Sequence, residues 1–189
     1  MNSGFMYEGE QKGKVSLFLK QLKLGQRRIL FALIGVDVKK EWEEYLSVWF
    51  YKRISSMRST KELMETLEED LRRGMPMPYG QVSGLCICGN YYISFGKGGV
   101  VGAWMYRRFL DYKLKYLHEE SEEWQVTSGF LEKGGGILIC TKEYLEGVKV
   151  EALGKLLLEG RHLSDRQIGK RLGEGKAIER GGAAIFIRL

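Results

Sequence analysis

Gly80-Gln81-Val82-Ser83-Gly84-Leu85-Cys86-Ile87-Cys88-Gly89-Asn90-Tyr91-Tyr92-Ile93-Ser94-Phe95-Gly96-Lys97-Gly98 is the stretch on which the reading of this chain turns. Residues 82–88 and 91–95 are short apolar runs, and Gly89-Asn90 between them is turn chemistry. A hairpin is therefore expected, with both strands largely buried. Upstream, residues 15–24 alternate apolar and polar side chains, Gly25-Gln26 supplies a turn, and residues 28–36 form an almost wholly apolar run. This predicts a second hairpin whose later strand is covered on both faces.

Between the hairpins, Trp42, Tyr45, Leu46, Trp49, Phe50 and Ile54 recur at three- and four-residue steps, which makes residues 39–57 an amphipathic helix. Ser59 and Glu62 have capping-box spacing and open a second helix through Leu63, Leu67 and Leu71 to Gly74. Pro76 and Pro78 then mark an extended connection. Downstream, strands are expected at 100–106, 108–117, 124–131 and 137–141, helices at 150–158 and 166–180, and a closing strand at 183–189. Strands come in runs separated by runs of helices, the pattern of an α+β fold with mostly antiparallel sheets. The expected architecture is two stacked sheets flanked by helix pairs, with residues 29–33, 82–87, 92–95, 137–140 and 184–187 as buried strands.

A chain of 189 residues that is 44% hydrophobic suits one domain over 1–189. Residues 1–13 are expected to be either disordered or a partial first strand. The 30 Lys+Arg against 24 Asp+Glu give a formal charge of +6, which favours acidic or phosphorylated protein partners. Nucleic acid is the weaker alternative. Its best candidates, Arg166, Lys170, Arg171, Lys176 and Arg180, spread around a helix and are interrupted by Glu174 and Glu179, as on a solvated face. The first ten residues lack the apolar core of a signal peptide, and the apolar run at 29–36 is too short to span a bilayer. The expectation is a cytoplasmic chain with no membrane partner.

Cys86, Cys88 and Cys140 lie in apolar strands without the companions a zinc site needs. His118 and His162, the only histidines, sit beside polar residues with no legible Ser-His-acid arrangement. The glutamates of 118–123 read as a solvated loop.

The order of elements and four motifs resemble the PPM (type 2C) metal-dependent serine/threonine phosphatases. The family's V-A-D-G-x-G strand end is similar to Phe31-Ala32-Leu33-Ile34-Gly35-Val36-Asp37. Its G-T-T-A strand, the turn after it and its G-D-S strand end are similar to Gly80-Gln81-Val82-Ser83, Gly89-Asn90 and Phe95-Gly96-Lys97-Gly98. The L-L-C-S-D-G-L segment is similar to Leu138-Ile139-Cys140-Thr141-Lys142-Glu143-Tyr144-Leu145. The terminal R-D-N-I-T-V-I-V-V-R is similar to Arg180-Gly181-Gly182-Ala183-Ala184-Ile185-Phe186-Ile187-Arg188.

Active members of that family use aspartates of these motifs to hold two divalent metals that activate a water. By resemblance, the corresponding positions here are Ile34, Lys97, Lys142 and Gly181. An aliphatic chain and a glycine supply no ligand, and an ammonium reverses the charge of the site. The family's R-x-x-N-E-D region finds no clear counterpart in residues 1–13. Asp37 alone cannot hold a binuclear centre. The interval from Lys97 to Lys142 is short, which implies a reduced flap subdomain. The resemblance thus implies a degenerate, cofactor-free member, a pseudophosphatase with a binding or regulatory role in phosphorylation-linked signalling. It further implies that Lys97 and Lys142 are candidate anion-binding groups at the vacated cleft.

Overall fold

The computed structural model describes residues 3–8, 14–24, 27–57, 59–73, 80–109, 111–131, 135–156, 163–164, 167–168 and 182–188. Its elements in chain order are β1 (Ser3–Glu8), β2 (Val15–Leu24), β3 (Arg27–Val36), α1 (Lys40–Ser56), α2 (Thr60–Arg72), β4 (Gln81–Cys88), β5 (Tyr91–Gly98), β6 (Val100–Arg108), β7 (Asp111–His118), β8 (Ser121–Phe130), β9 (Gly136–Thr141), α3 (Lys142–Gly147), α4 (Val150–Gly154) and β10 (Ala183–Arg188). They build two five-stranded sheets, ordered β2-β3-β4-β5-β8 and β1-β10-β9-β6-β7. Every pairing is antiparallel.

Three apolar layers follow from the alternation of side chains along the strands. Leu30, Ala32 and Ile34 of β3 and Leu85 and Ile87 of β4 face Val100, Trp104, Ile137, Ile139, Ile185 and Ile187 of the opposite sheet. The other face of the first sheet, with Phe31, Cys86, Cys88 and Phe95, carries α1 and α2 through Trp42, Leu46, Phe50, Leu63 and Leu67. Phe31 stacks on Phe50 with ring centroids 4.2 Å apart. The outer face of the second sheet, with Met105, Leu138, Cys140 and Phe186, packs on Tyr144 and Leu153 of α3 and α4. Buried on both sides, β3, β4 and β9 read as continuous apolar runs, which explains why sequence located them well.

The expected α+β sandwich is therefore present, with a helix pair on each face. Residues 3–8, for which a partial strand or disorder was expected, form β1 and pair with β10 from Ser3↔Arg188 to Glu8↔Ala183. The acidic stretch is mostly strand, since β7 runs to His118 and β8 starts at Ser121. Glu122 and Glu123 are exposed on an edge strand, where charge is tolerated. Between Lys97 and Lys142 the described residues hold only β6, β7, β8 and β9, with no helix. The connection at 75–79, residue 181, His162 and nearly all of the expected basic helix at 166–180 lie outside the described residues. No helix among the described residues is long and apolar enough to cross a membrane.

Candidate functional site

Strand directions bring one set of termini together. The ends of β3, β5, β9 and β1 and the starts of β2, β4, β6, β8 and β10 lie at the same end of the sandwich. Lys97 is half-buried next to the end of β5, where the pairing with β8 shifts register between Gly96 and Gly98. Lys142 follows β9, and its amide donates to the Gly99 carbonyl at 2.9 Å. The two lysines thus stand at this end, Lys97 within β5 and Lys142 at the start of α3 directly after β9.

The Lys142 ammonium is exposed and pairs with the Glu120 carboxylate at 2.8 Å. The hydrogen bond from Lys142 to Glu120, and then the charge of that carboxylate, raise the lysine pKa and keep it cationic. The partner, Glu120, comes from the turn between β7 and β8.

Ile34 lies elsewhere. It is fully buried inside β3, opposite Ser83, and belongs to the core between the sheets. Three residues on, Asp37 occupies the strand exit with a φ of 56°, a conformation that aspartate tolerates better than most residues. Its Oδ1 accepts the Lys14 amide at 2.9 Å, and its own amide donates to the Lys14 carbonyl at 2.8 Å. Asp37 therefore ties the start of β2 to the end of β3. A continuous apolar run offers no internal mark of where its strand stops, which is why sequence matched Ile34 to the mouth.

A binuclear metal centre needs several converging oxygen ligands. Among the described residues, no three His, Cys, Asp or Glu side chains are grouped to hold an ion. Asp37 is engaged with backbone, and Glu120 is matched by an ammonium. The described set does not fit a two-metal site.

Sequence reading missed a buried polar cluster just inside this end. His118, at the end of β7, is 3% exposed. Its Nε2 lies 2.7 Å from the Ser83 hydroxyl of β4, and its Nδ1 lies 2.6 Å from the Ser94 hydroxyl of β5. The ring crosses from one sheet to the other. Burial pushes its pKa down to about 4, so it is neutral at physiological pH. A neutral imidazole has one N–H and one bare nitrogen, so it donates to one serine and accepts from the other. Gly96 and Gly102 make room for it, since a Cβ at Gly96 would fall 2.4 Å from Nε2 and one at Gly102 would fall 2.7 Å from Cε1. The signal available in sequence was the placement of glycines within β5 and β6, but their relation to His118 depends on the stacking of the sheets.

No family model and no curated protein matches this chain. Solved structures do match. A bacterial serine phosphatase superposes with a TM-score of 0.66 at 8% identity, over 99% of this chain and 96% of the other. The serine/threonine phosphatase of S. agalactiae gives 0.61 at 10% identity, over 100% and 99%. A chain solved in work on the bacterial stressosome, a modular system adapted to control secondary messenger signalling, gives 0.54 at 14% identity, over 99% and 98%. At such identities the likeness establishes the fold. The chain has the αββα sandwich of the PPM-type phosphatases.

Proposed function

We propose that this chain is a PPM-phosphatase-like domain without hydrolytic activity that works as a cytoplasmic binding or regulatory module in phosphorylation-linked signalling, recognising an acidic or phosphorylated protein. The observation that carries the reading is Lys142, a cation held charged beside Glu120 at the strand end where the resembled family places a metal-ligating aspartate. Lys97 adds a second cation at the same end, and an ammonium is suited to a phosphoryl oxygen but hostile to a dication. Ile34, buried in the core, provides no ligand.

The test has two arms. Calorimetric titration with manganese, and assay of a generic phosphomonoester with manganese or magnesium, should show neither micromolar affinity nor turnover. Sulfate or a phosphopeptide should bind the parent and lose affinity in the Lys97→Glu, Lys142→Glu double variant. Manganese-dependent hydrolysis abolished by Asp37→Asn would overturn the first arm. Equal affinity in parent and double variant, with both folded, would remove the anion role.

The position of Asp37 at the exit of β3 favours a second reading, in which one carboxylate retains a single metal without catalysis. The same titration decides it, since that reading requires stoichiometric manganese binding that is lost in Asp37→Asn.

A further inference from the structure

The opposite end of the sandwich has a different character. Among the described residues, the two most exposed large apolar side chains, Phe109 at 89% and Phe130 at 73%, both stand there. Phe109 follows β6 in the turn to β7, and Phe130 ends β8, opposite Tyr91 at the start of β5. Exposed rings of this size need a reason. Phe130 leans edge-on against Tyr91 with ring centroids 5.2 Å apart, whereas Phe109 projects from the tip of its hairpin.

Phe109 is not a frayed side chain. Its φ is 58°, a region that bulky residues avoid, so the turn holds this position in an unfavourable backbone conformation. Arg107 holds the turn in place. Its Nε donates to the Phe109 carbonyl at 3.2 Å, and its guanidinium lies 5.9 Å from the centre of the Tyr112 ring. Tyr112 is buried against Gly154 of α4, so the tip is fastened to the core while the ring faces solvent.

Cations stand at the same end of the sandwich, two beside Phe109 and two towards the far edge of the other sheet. Arg107 and Arg108 are exposed at the end of β6. On the neighbouring sheet, Lys23 of β2 and Arg28 of β3 are exposed and directly opposite one another across the ladder. Like charges placed directly across a ladder repel, and an external anion relieves that repulsion. The nearby acid of the hairpin, Asp111, already has Lys113 at 3.9 Å. Glu65 of α2 has Lys61 at 3.7 Å.

We propose that this end is a docking face for an anionic lipid surface, with Phe109 and Phe130 entering the boundary between headgroups and acyl chains while Arg107, Arg108, Lys23 and Arg28 meet lipid phosphates. A projecting ring needs a matching pocket on a protein partner, whereas a bilayer takes a convex apolar point without one. The cations supply the second of the two signals that a single small apolar anchor requires. The sequence-level expectation of no membrane partner rested on the lack of a spanning stretch, which does not bear on contact from one side. This inference is independent of the phosphatase-derived cleft at the other end.

The experiment is co-sedimentation of the full chain with vesicles of phosphatidylcholine containing phosphatidylglycerol at three parts in ten, against pure phosphatidylcholine. Binding to the anionic vesicles alone is expected, weakening as salt rises. Phe109→Ser should weaken it about tenfold or more. Arg28→Gln and Arg108→Gln should each weaken it about fivefold. Phe109 is so exposed that its replacement should leave the thermal midpoint unchanged, which separates lost docking from lost folding.

An environment-sensitive dye on the thiol of Phe109→Cys should shift to the blue with anionic vesicles, since the native cysteines are buried. Binding equal on both vesicle types, or undiminished in Phe109→Ser, would overturn the proposal. So would failure to bind vesicles alongside Phe109-dependent binding to poly-glutamate, which would assign the face to an acidic protein. Lys97→Glu, Lys142→Glu should bind vesicles like the parent whether or not the cleft binds anions.

Discussion

His118 concentrates much of what a single residue decides in this molecule. Its two nitrogens satisfy hydroxyls from two adjacent strands of the opposite sheet. Removing it would leave both hydroxyls buried together with a cavity. His118→Ala should therefore cost about 3 kcal/mol in denaturant unfolding at pH 7.5. The same residue sets a pH dependence. Its folded pKa of about 4 lies below the 6.5 of an ordinary imidazole, so between those values the unfolded chain binds a proton that the folded chain refuses. The stability it contributes is present above about pH 6.5 and falls as pH drops towards 4, by about 3 kcal/mol in total. Comparison of the urea midpoint at pH 7.5 and 5 should show this slope in the parent and its flattening in His118→Asn. Sequence could not reveal the cluster, because Ser83 and Ser94 are 35 and 24 residues away from His118. Only the stacking of two sheets makes them neighbours.

At the scale of elements, α2 is the best anchored helix. Ser59 caps it, with its hydroxyl accepting the Glu62 amide at 3.1 Å, as the capping-box spacing anticipated. Ser59→Ala should lower stability by about 1 kcal/mol without altering the sheets, as read by thermal unfolding. Glu68, on the same helix, accepts hydrogen bonds from Tyr91 of β5 at 2.9 Å and Ser128 of β8 at 2.8 Å, and from Arg72. Burial works to raise its pKa, yet the bonds from Ser128, Arg72 and Tyr91 prevail and keep the carboxylate below its ordinary range. Glu68→Ala should cost about 2 kcal/mol, and Glu68→Gln less, since the amide retains an acceptor. The cap and the apolar stripe of Leu63, Leu67 and Leu71 were legible because they are local patterns. The link to Tyr91 and Ser128 was not, because a glutamate among other glutamates carries no mark of which one turns inward. The same holds at the candidate cleft, where Lys142 was noticed by motif but its partner Glu120 came from a different strand turn.

For the molecule as a whole, the layer between the sheets draws on both of them, and it joins their unfolding. Leu85 and Ile87 cannot lose Ile137 and Ile185 without exposing both inner faces. Unfolding should be a single cooperative transition, with tryptophan fluorescence and far-ultraviolet dichroism superimposing in urea. Separate midpoints would show that the sheets open independently. Because β1 pairs with β10 and β3 packs near β10, the fold joins its first and last described strands through contacts of very long sequence separation. Refolding should accordingly take milliseconds to seconds, as for other chains rich in non-local pairing.

The three cysteines turn this architecture into its own clock. All are buried, and burial raises the pKa of Cys86 and Cys140, so in the closed protein these thiols are poor nucleophiles. Cys86 and Cys88 lie beneath α1 and α2, while Cys140 lies beneath α3 and α4. A thiol reagent added to the native protein must wait for a layer to lift, so the rate at which each cysteine acquires the label counts how often its own roof opens. Equal rates at Cys86 and Cys140 would mean that the two roofs come off together. A faster rate at Cys140 would mean that the short helices α3 and α4 peel away first and leave the rest of the molecule shut.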